Sequence, residues 1–254
     1  MADKTSNEFN VGIFVQHMAE VLDFCGPFEV FNNVNFFQQD VKVNVFTISE
    51  TKEPVNAQGL SINPTYSIED HPKLDILLIP GGGTAALVKN QKVVNWVKEV
   101  QADIEYLLSV CTGSLIYAKA DLLDGLTITS HFSAIERLRE MVPKATVDPS
   151  KRYIDNGRII TSAGISAGID MSLHMVERLW GLPIAIEIAK NMEYNWLRTE
   201  ENVNLDHLKP IPAGKWLNKL SDKKQQIGNK FINKFWLATL CQYLWILTHL
   251  VTSR

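Results

Sequence analysis

The sequence predicts an α/β protein built on a mostly parallel sheet with helices packed on both faces. Three observations point there. Short runs at 11–15, 74–80 and 104–110 are largely apolar without strict alternation, as strands covered on both faces are. Segments with helical spacing separate them, which is the pattern of β-α-β units. Each run also ends in residues a ligand could meet: the loop after Val15, the run Gly81-Gly82-Gly83, and Cys111. Ligand sites in parallel sheets lie beyond the C-terminal strand edges, so these three endings are expected to converge.

Each element can be justified in turn. Residues 11–15 form the first buried strand. Residues 21–37 follow with helical spacing, and 41–49, rich in β-branched residues, read as a strand. Leu74-Asp-Ile-Leu-Leu-Ile-Pro80 is a strand closed by the glycine run, and 93–100 is a helix. The run 104–110 enters Cys111, after which 112–120 is small or apolar and reads as the first turns of a helix. Residues 126–130 predict a strand and 133–141 a helix of alternating charge. Residues 152–154 and 158–161 form a hairpin around Asp155-Asn156-Gly157, a turn that favours positive φ. Two helices, 169–180 and 183–194, complete a catalytic-type domain over 1–196.

Residues 197–254 form an appendage. Pro210 and Pro212 mark a linker, and 215–234 carry six lysines against one aspartate. Residues 235–251 are seventeen mostly apolar positions interrupted by Thr239, Gln242, Thr248 and His249. Their simplest reading is a helix packing on the domain or on a second subunit. The alternative is contact with a membrane, although a spanning helix needs about 20 apolar residues and polar groups are expensive at depth.

The bulk composition excludes several classes. The chain has 254 residues, 46% hydrophobic and 21% charged, ordinary for a globular protein. A net charge of −3 offers no electrostatic footprint for nucleic acid. Three cysteines, 25, 111 and 241, make neither a disulfide framework nor a metal site. His17, His71, His174, His207 and His249 lack metal-ligand spacing, so no metal and no cofactor is expected. A polar N-terminus without the apolar core of a signal peptide favours a cytoplasmic location.

The chemistry concentrates around Cys111. A strand that breaks into a helix at a nucleophile is a nucleophile elbow. Backbone N–H groups opening the helix, with the helix dipole behind them, would favour the thiolate. The bland reading is a buried, inert thiol packed as a small hydrophobe. Asp23 lies among apolar neighbours and is either functional or the N-cap of helix 21–37. Gly81-Gly82-Gly83 can aim an N–H at a small ligand or serve as an ordinary turn, and no Gly-Lys-Ser/Thr follows to make it a phosphate loop. His131 can act as a base for Cys111 or stand as a polar residue at a rim.

In order along the chain stand Asp23 with Gly26-Pro-Phe-Glu-Val-Phe31, Leu77-Leu-Ile-Pro-Gly-Gly-Gly83, Ser109-Val-Cys-Thr-Gly113, Thr127-Ile-Thr-Ser-His131 and Ile160-Thr-Ser-Ala-Gly-Ile-Ser-Ala-Gly-Ile-Asp170. Together these resemble the ThiJ/PfpI superfamily, the class I glutamine amidotransferase-like proteins, over about residues 10–194. The pattern is most similar to the isonitrile hydratase-like and AraC-regulator-like branch. The resemblance implies a flavodoxin-like three-layer sandwich, a homodimer, and Cys111 as nucleophile on the elbow. It implies Asp23 as the acid/base beside the sulfur, Thr112 assisting, and His131 as a neighbour. An oxyanion hole would draw on the Thr112 N–H and on Gly82 and Gly83. The reaction implied is cysteine-dependent hydration or hydrolysis of a small carbon electrophile, isonitrile to N-substituted formamide. The alternatives are a glyoxalase or deglycase acting on 2-oxoaldehydes, and a redox or metabolite sensor without turnover. Amidotransfer fits less well, because the His-x-Glu pair of its triad is not in place. Two features depart from the pattern. Met192-Glu-Tyr-Asn-Trp196 lacks the Asp-Pro-x-Pro-Pro expected after Glu-Tyr, and 197–254 is too short for the paired helix-turn-helix units of the regulators.

Overall fold

A computed structural model describes residues 8–198. The chain runs β1 (Glu8–Phe14), α1 (Val21–Phe37), β2 (Lys42–Ser49), β3 (Val55–Ala57), β4 (Leu60–Ile62), β5 (Tyr66–Ser67) and β6 (Ile76–Ile79). There follow α2 (Thr84–Leu87), α3 (Gln91–Val100), β7 (Tyr106–Ser109), α4 (Ser114–Lys119), β8 (Thr127–Ile128) and α5 (Ile135–Met141). The rest is β9 (Thr146–Val147), β10 (Tyr153–Asp155), β11 (Ile159–Ser162), α6 (Ala167–Trp180) and α7 (Leu182–Asn191).

Seven strands make the main sheet in the order β10-β11-β7-β6-β1-β2-β5. Every neighbouring pair is parallel except β10 with β11, so the sheet is the mostly parallel one the apolar runs predict. The pleat explains why those runs do not alternate. In β6, Leu77 and Ile79 enter one core and Ile76 and Leu78 the other; in β7, Leu107 and Leu108 divide the same way. One core lies against α3, α4 and α5, the other against α1, α6 and α7. Both faces are covered, so a polar residue at any of these positions would be buried. Each such side chain contributes roughly 1.5–3 kcal/mol of hydrophobic stabilisation.

Where structure and sequence reading differ, local bonds explain it. The strand expected at 126–130 is only Thr127–Ile128, and it pairs with β9 in a separate two-stranded sheet. Its continuation is drawn off by side chains: the Thr129 N–H donates to Thr161 Oγ1 at 2.9 Å, and the Ser130 hydroxyl turns to the carbonyl of Cys111. The helix expected at 112–120 opens as a 3₁₀ turn, Cys111–Gly113, and ends where Asp121 adopts φ 61. Residues 50–70 show no clear strand or helix period in the sequence. There, Gln58 (φ 52) and Gly59 (φ 101) turn a tight hairpin between β3 and β4.

Among the described residues no helix is long and apolar enough to cross a membrane, and no group of three or more His, Cys, Asp or Glu could hold a metal ion. The linker, the lysine-rich stretch and the segment 235–251 lie outside the described residues.

Candidate active site

The strand β7 runs into Val110 (φ −112, ψ 139), and the chain then turns sharply, with Cys111 at φ 57. A left-handed φ on a residue with a Cβ is strained and is held only by its surroundings. Here the Cys111 N–H donates to Ala163 O at 3.1 Å, and its carbonyl accepts from Ser130 Oγ at 2.8 Å. Ser114 Oγ donates in turn to Ser130 Oγ at 2.9 Å. Behind the elbow, the buried Tyr117 hydroxyl lies 2.9 Å from Leu77 O and 3.0 Å from Leu108 O, tying α4 to β6 and β7. The elbow is thus anchored on both sides of its cysteine.

Asp23 is fully buried, in the first turn of α1. It is not the cap of that helix: Glu20 holds the N-cap position, and no side chain caps there. The Asp23 carboxyl instead reaches the glycine loop, where Oδ2 accepts the Gly81 N–H at 2.8 Å. Its Oδ1 has no hydrogen-bond partner among the described residues. Gly81 must be glycine, since a Cβ would stand 2.7 Å from Asp23 Oδ2 and 2.8 Å from both Cys111 Cβ and Thr112 N. Gly82 (φ 73) is equally constrained, with Met18 O only 2.3 Å from where its Cβ would be.

The two ionisable groups shape each other. Burial pushes the Asp23 carboxyl up to about 7, against the Gly81 hydrogen bond, with the nearby Glu20 charge adding to the rise and the Cys111 thiol opposing it. Burial pushes the Cys111 thiol up to about 12, and the Asp23 charge raises it further. The N–H groups of Thr112 and Ile165, both directed at the sulfur, oppose that shift without overcoming it. Burial and the Asp23 charge together favour the thiol over the thiolate. The dipole that the elbow sets in favour of the thiolate is weak, a 3₁₀ turn and a six-residue helix, and it acts against burial and a neighbouring carboxylate.

Thr112 accepts on Oγ1 from the Gly82 N–H at 3.3 Å and from Thr84 Oγ1 at 3.0 Å. The Gly81 and Gly82 amides are thus engaged inside the protein, and of the expected oxyanion-hole donors only the Thr112 N–H faces the sulfur. Gly83 (φ 59) starts α2, its backbone against His17 O. His131 makes no hydrogen bond to Cys111. Its Nδ1 lies 2.7 Å from Ser133 Oγ and accepts the Ser133 N–H at 3.3 Å, and its ring rests against Gly164. Partial burial lowers its pKa, so the ring is a neutral wall of the site.

Three contributors were not legible. Gln16 Nε2 lies 2.6 Å from Gly82 O, 3.1 Å from Gly81 O and 3.3 Å from Pro80 O, and so holds the glycine loop. Ser130 anchors the elbow, and Ile165 brings a second N–H to the sulfur from a left-handed φ of 49. The nearest hint of Ile165 is the small-residue setting Ala163-Gly164-Ile165-Ser166, which allows a tight turn but does not name the residue that bears it.

Comparison with known proteins finds relatives over the same span of the chain. The isonitrile hydratase of Pseudomonas putida is 31% identical over 187 residues, covering 72% of this chain and 78% of that protein. The HTH-type transcriptional regulator CdhR of Pseudomonas aeruginosa is 28% identical over 183 residues, 72% of this chain and 54% of the regulator, so this chain spans about half of that relative. The crystal structure of a ThiJ/PfpI family protein from Pseudomonas syringae superposes with a TM-score of 0.70 at 26% identity, covering 87% of this chain and 88% of that one. The model of the DJ-1/PfpI family matches residues 10–178, and the chain belongs to that family.

Proposed function

We propose that the protein is a cysteine-dependent hydratase that adds water to an isonitrile, R–N≡C, and releases the formamide R–NH–CHO. The observation that carries this is a buried carboxyl pushed up to about 7 and set beside a buried thiol, with one carboxyl oxygen unpartnered among the described residues. Such a carboxyl exchanges protons near neutrality, and no histidine is needed. The similarity to the P. putida isonitrile hydratase supports the same chemistry.

The steps balance with these residues alone. The Asp23 carboxylate takes the Cys111 proton as sulfur attacks the terminal isonitrile carbon, then returns that proton to the same carbon, leaving the thioimidate Cys–S–CH=N–R. Water adds to the C=N bond, its proton passing through Asp23 to nitrogen. The C–S bond then breaks, the hydroxyl proton returns to sulfur through Asp23, and the formamide leaves. The slender, linear isonitrile group suits a cysteine only 6% exposed. Thr112, with its hydroxyl fixed by Gly82 and Thr84, holds its N–H at the sulfur during attack. The test is formamide release from a panel of isonitriles, with methylglyoxal alongside, by the wild type and by Cys111→Ser. Cys111-dependent formamide supports the reading; Cys111-dependent loss of methylglyoxal with inert isonitriles replaces it with the 2-oxoaldehyde reaction.

The second reading is a sensor, favoured by the likeness to a transcriptional regulator over the same span. It predicts no turnover of either substrate class, with saturable binding that depends on Cys111.

A further inference from the structure

We propose that Arg152 is a positioning residue for the cysteine: with Asp170 it clamps the turn 163–166 and so holds the Ile165 N–H against the Cys111 sulfur. The grip is two-sided. On one side, the Arg152 carbonyl accepts the Ala163 N–H at 2.8 Å, and the Ala163 carbonyl accepts the Cys111 N–H at 3.1 Å. On the other, Arg152 Nη2 donates to Ser166 Oγ at 3.1 Å, while its Nε donates to Asp170 Oδ2 at 2.5 Å. Ile165 lies between these two anchors.

Three further observations single out this clamp. Ile165 is β-branched and left-handed, a strained combination that must be imposed from outside. Ser166 occupies the N-cap position of α6 yet makes no capping bond with its side chain; the hydroxyl is given to Arg152 instead. In the Arg152–Asp170 pair Asp170 is buried, 1% exposed, and Arg152 is partly buried, 15% exposed, and an ion pair set into the protein in this way contributes specific geometry more surely than stability. Tyr194 completes the arrangement by donating its hydroxyl to Asp170 Oδ2 at 2.9 Å. The planar guanidinium spans two acceptors that a lysine ammonium could not hold in the same fixed relation.

The proposal rests on Cys111 as the reactive group of the proposed hydratase, but its test does not need turnover. The full-length protein is treated with a small alkylating agent at mildly alkaline pH, and modification of the Cys111 peptide is followed by mass spectrometry. In Arg152→Gln the Ile165 N–H leaves the sulfur, the thiolate becomes scarcer, and Cys111 alkylates about tenfold more slowly, as a change of one pKa unit would give. Arg152→Lys slows it likewise. Arg178→Gln, which breaks another Arg–Asp pair between α6 and β10, leaves the rate unchanged. An unchanged or faster rate in Arg152→Gln, full rescue by lysine, or equal slowing in Arg178→Gln overturns the proposal. If Arg152→Gln does not fold, Ser166→Ala removes only the Nη2 contact on an exposed residue, and a rate equal to wild type overturns it. Failure of isonitrile turnover in the wild type would sink the hydratase reading and leave this comparison intact.

Discussion

At the residue scale, Asp23 and Cys111 decide the chemistry, and each makes a prediction. The folded pKa of Asp23, about 7, lies above its ordinary 3.8, so folding favours the protonated carboxyl. Its contribution to stability is then fully present below about 3.8 and is lost as pH rises through about 7, a loss of roughly 4 kcal/mol at 1.36 kcal/mol per pKa unit. Asp23→Asn should therefore melt at a higher temperature than the wild type well above pH 7, with the gap closing in acid. The same substitution should lower isonitrile kcat by about 10²–10⁴-fold, because Asn cannot carry a proton. In the wild type, kcat/KM should rise with pH through about 7 as the carboxylate forms, and a profile flat through that range would count against Asp23 as the base. For Cys111, the raised pKa predicts slow alkylation near neutrality, slower than a free thiol under the same conditions. The motif around the cysteine was legible because an elbow needs small residues at fixed places. The upward pKa shifts of Asp23 and Cys111 were not, since they follow from burial by segments distant in sequence.

At the scale of elements, the unalternating strands were legible and their bounds held to within a few residues, because a strand buried on both faces can tolerate little but apolar side chains. The strands between 50 and 70, and β9, were not legible. β5 and β9 have two residues each, and two residues show no period. The glycine loop is the element that joins the strands to the chemistry: β6 delivers it, Gln16 holds it, and its Gly81 N–H fixes Asp23. Gly81→Ala should accordingly abolish turnover and destabilise the fold by about 1–3 kcal/mol, the usual range for forcing atoms into a packed site. Denaturant unfolding together with turnover checks this; an active, equally stable Gly81→Ala would mean that the loop can shift away from Asp23. The elbow helix offers a milder test. Tyr117→Phe should cost about 1–2 kcal/mol by removing the hydroxyl from Leu77 O and Leu108 O, while Cys111 keeps its own anchors.

At the scale of the whole molecule, both cores named above are built from described residues, and among these the last contact toward the C-terminal side is Arg198 with Glu177 of α6, Nε to Oε2 at 2.8 Å. A chain of residues 1–198 keeps every one of these contacts. It should therefore unfold cooperatively in denaturant, with a midpoint within about 1 kcal/mol of the full-length protein and the same rate of Cys111 alkylation. A large loss of stability would show that the appendage packs on the domain, the first of the two readings of 235–251. Fractionation then addresses the second. The apolar run falls short of a full membrane span and holds Gln242 and His249, whereas the lysines of 215–234 would suit a surface of anionic lipid. Full-length protein recovered in the soluble fraction after mild lysis, at the yield of a 1–214 truncation, would remove the membrane reading. Recovery with the membrane pellet that only the truncation escapes would establish it.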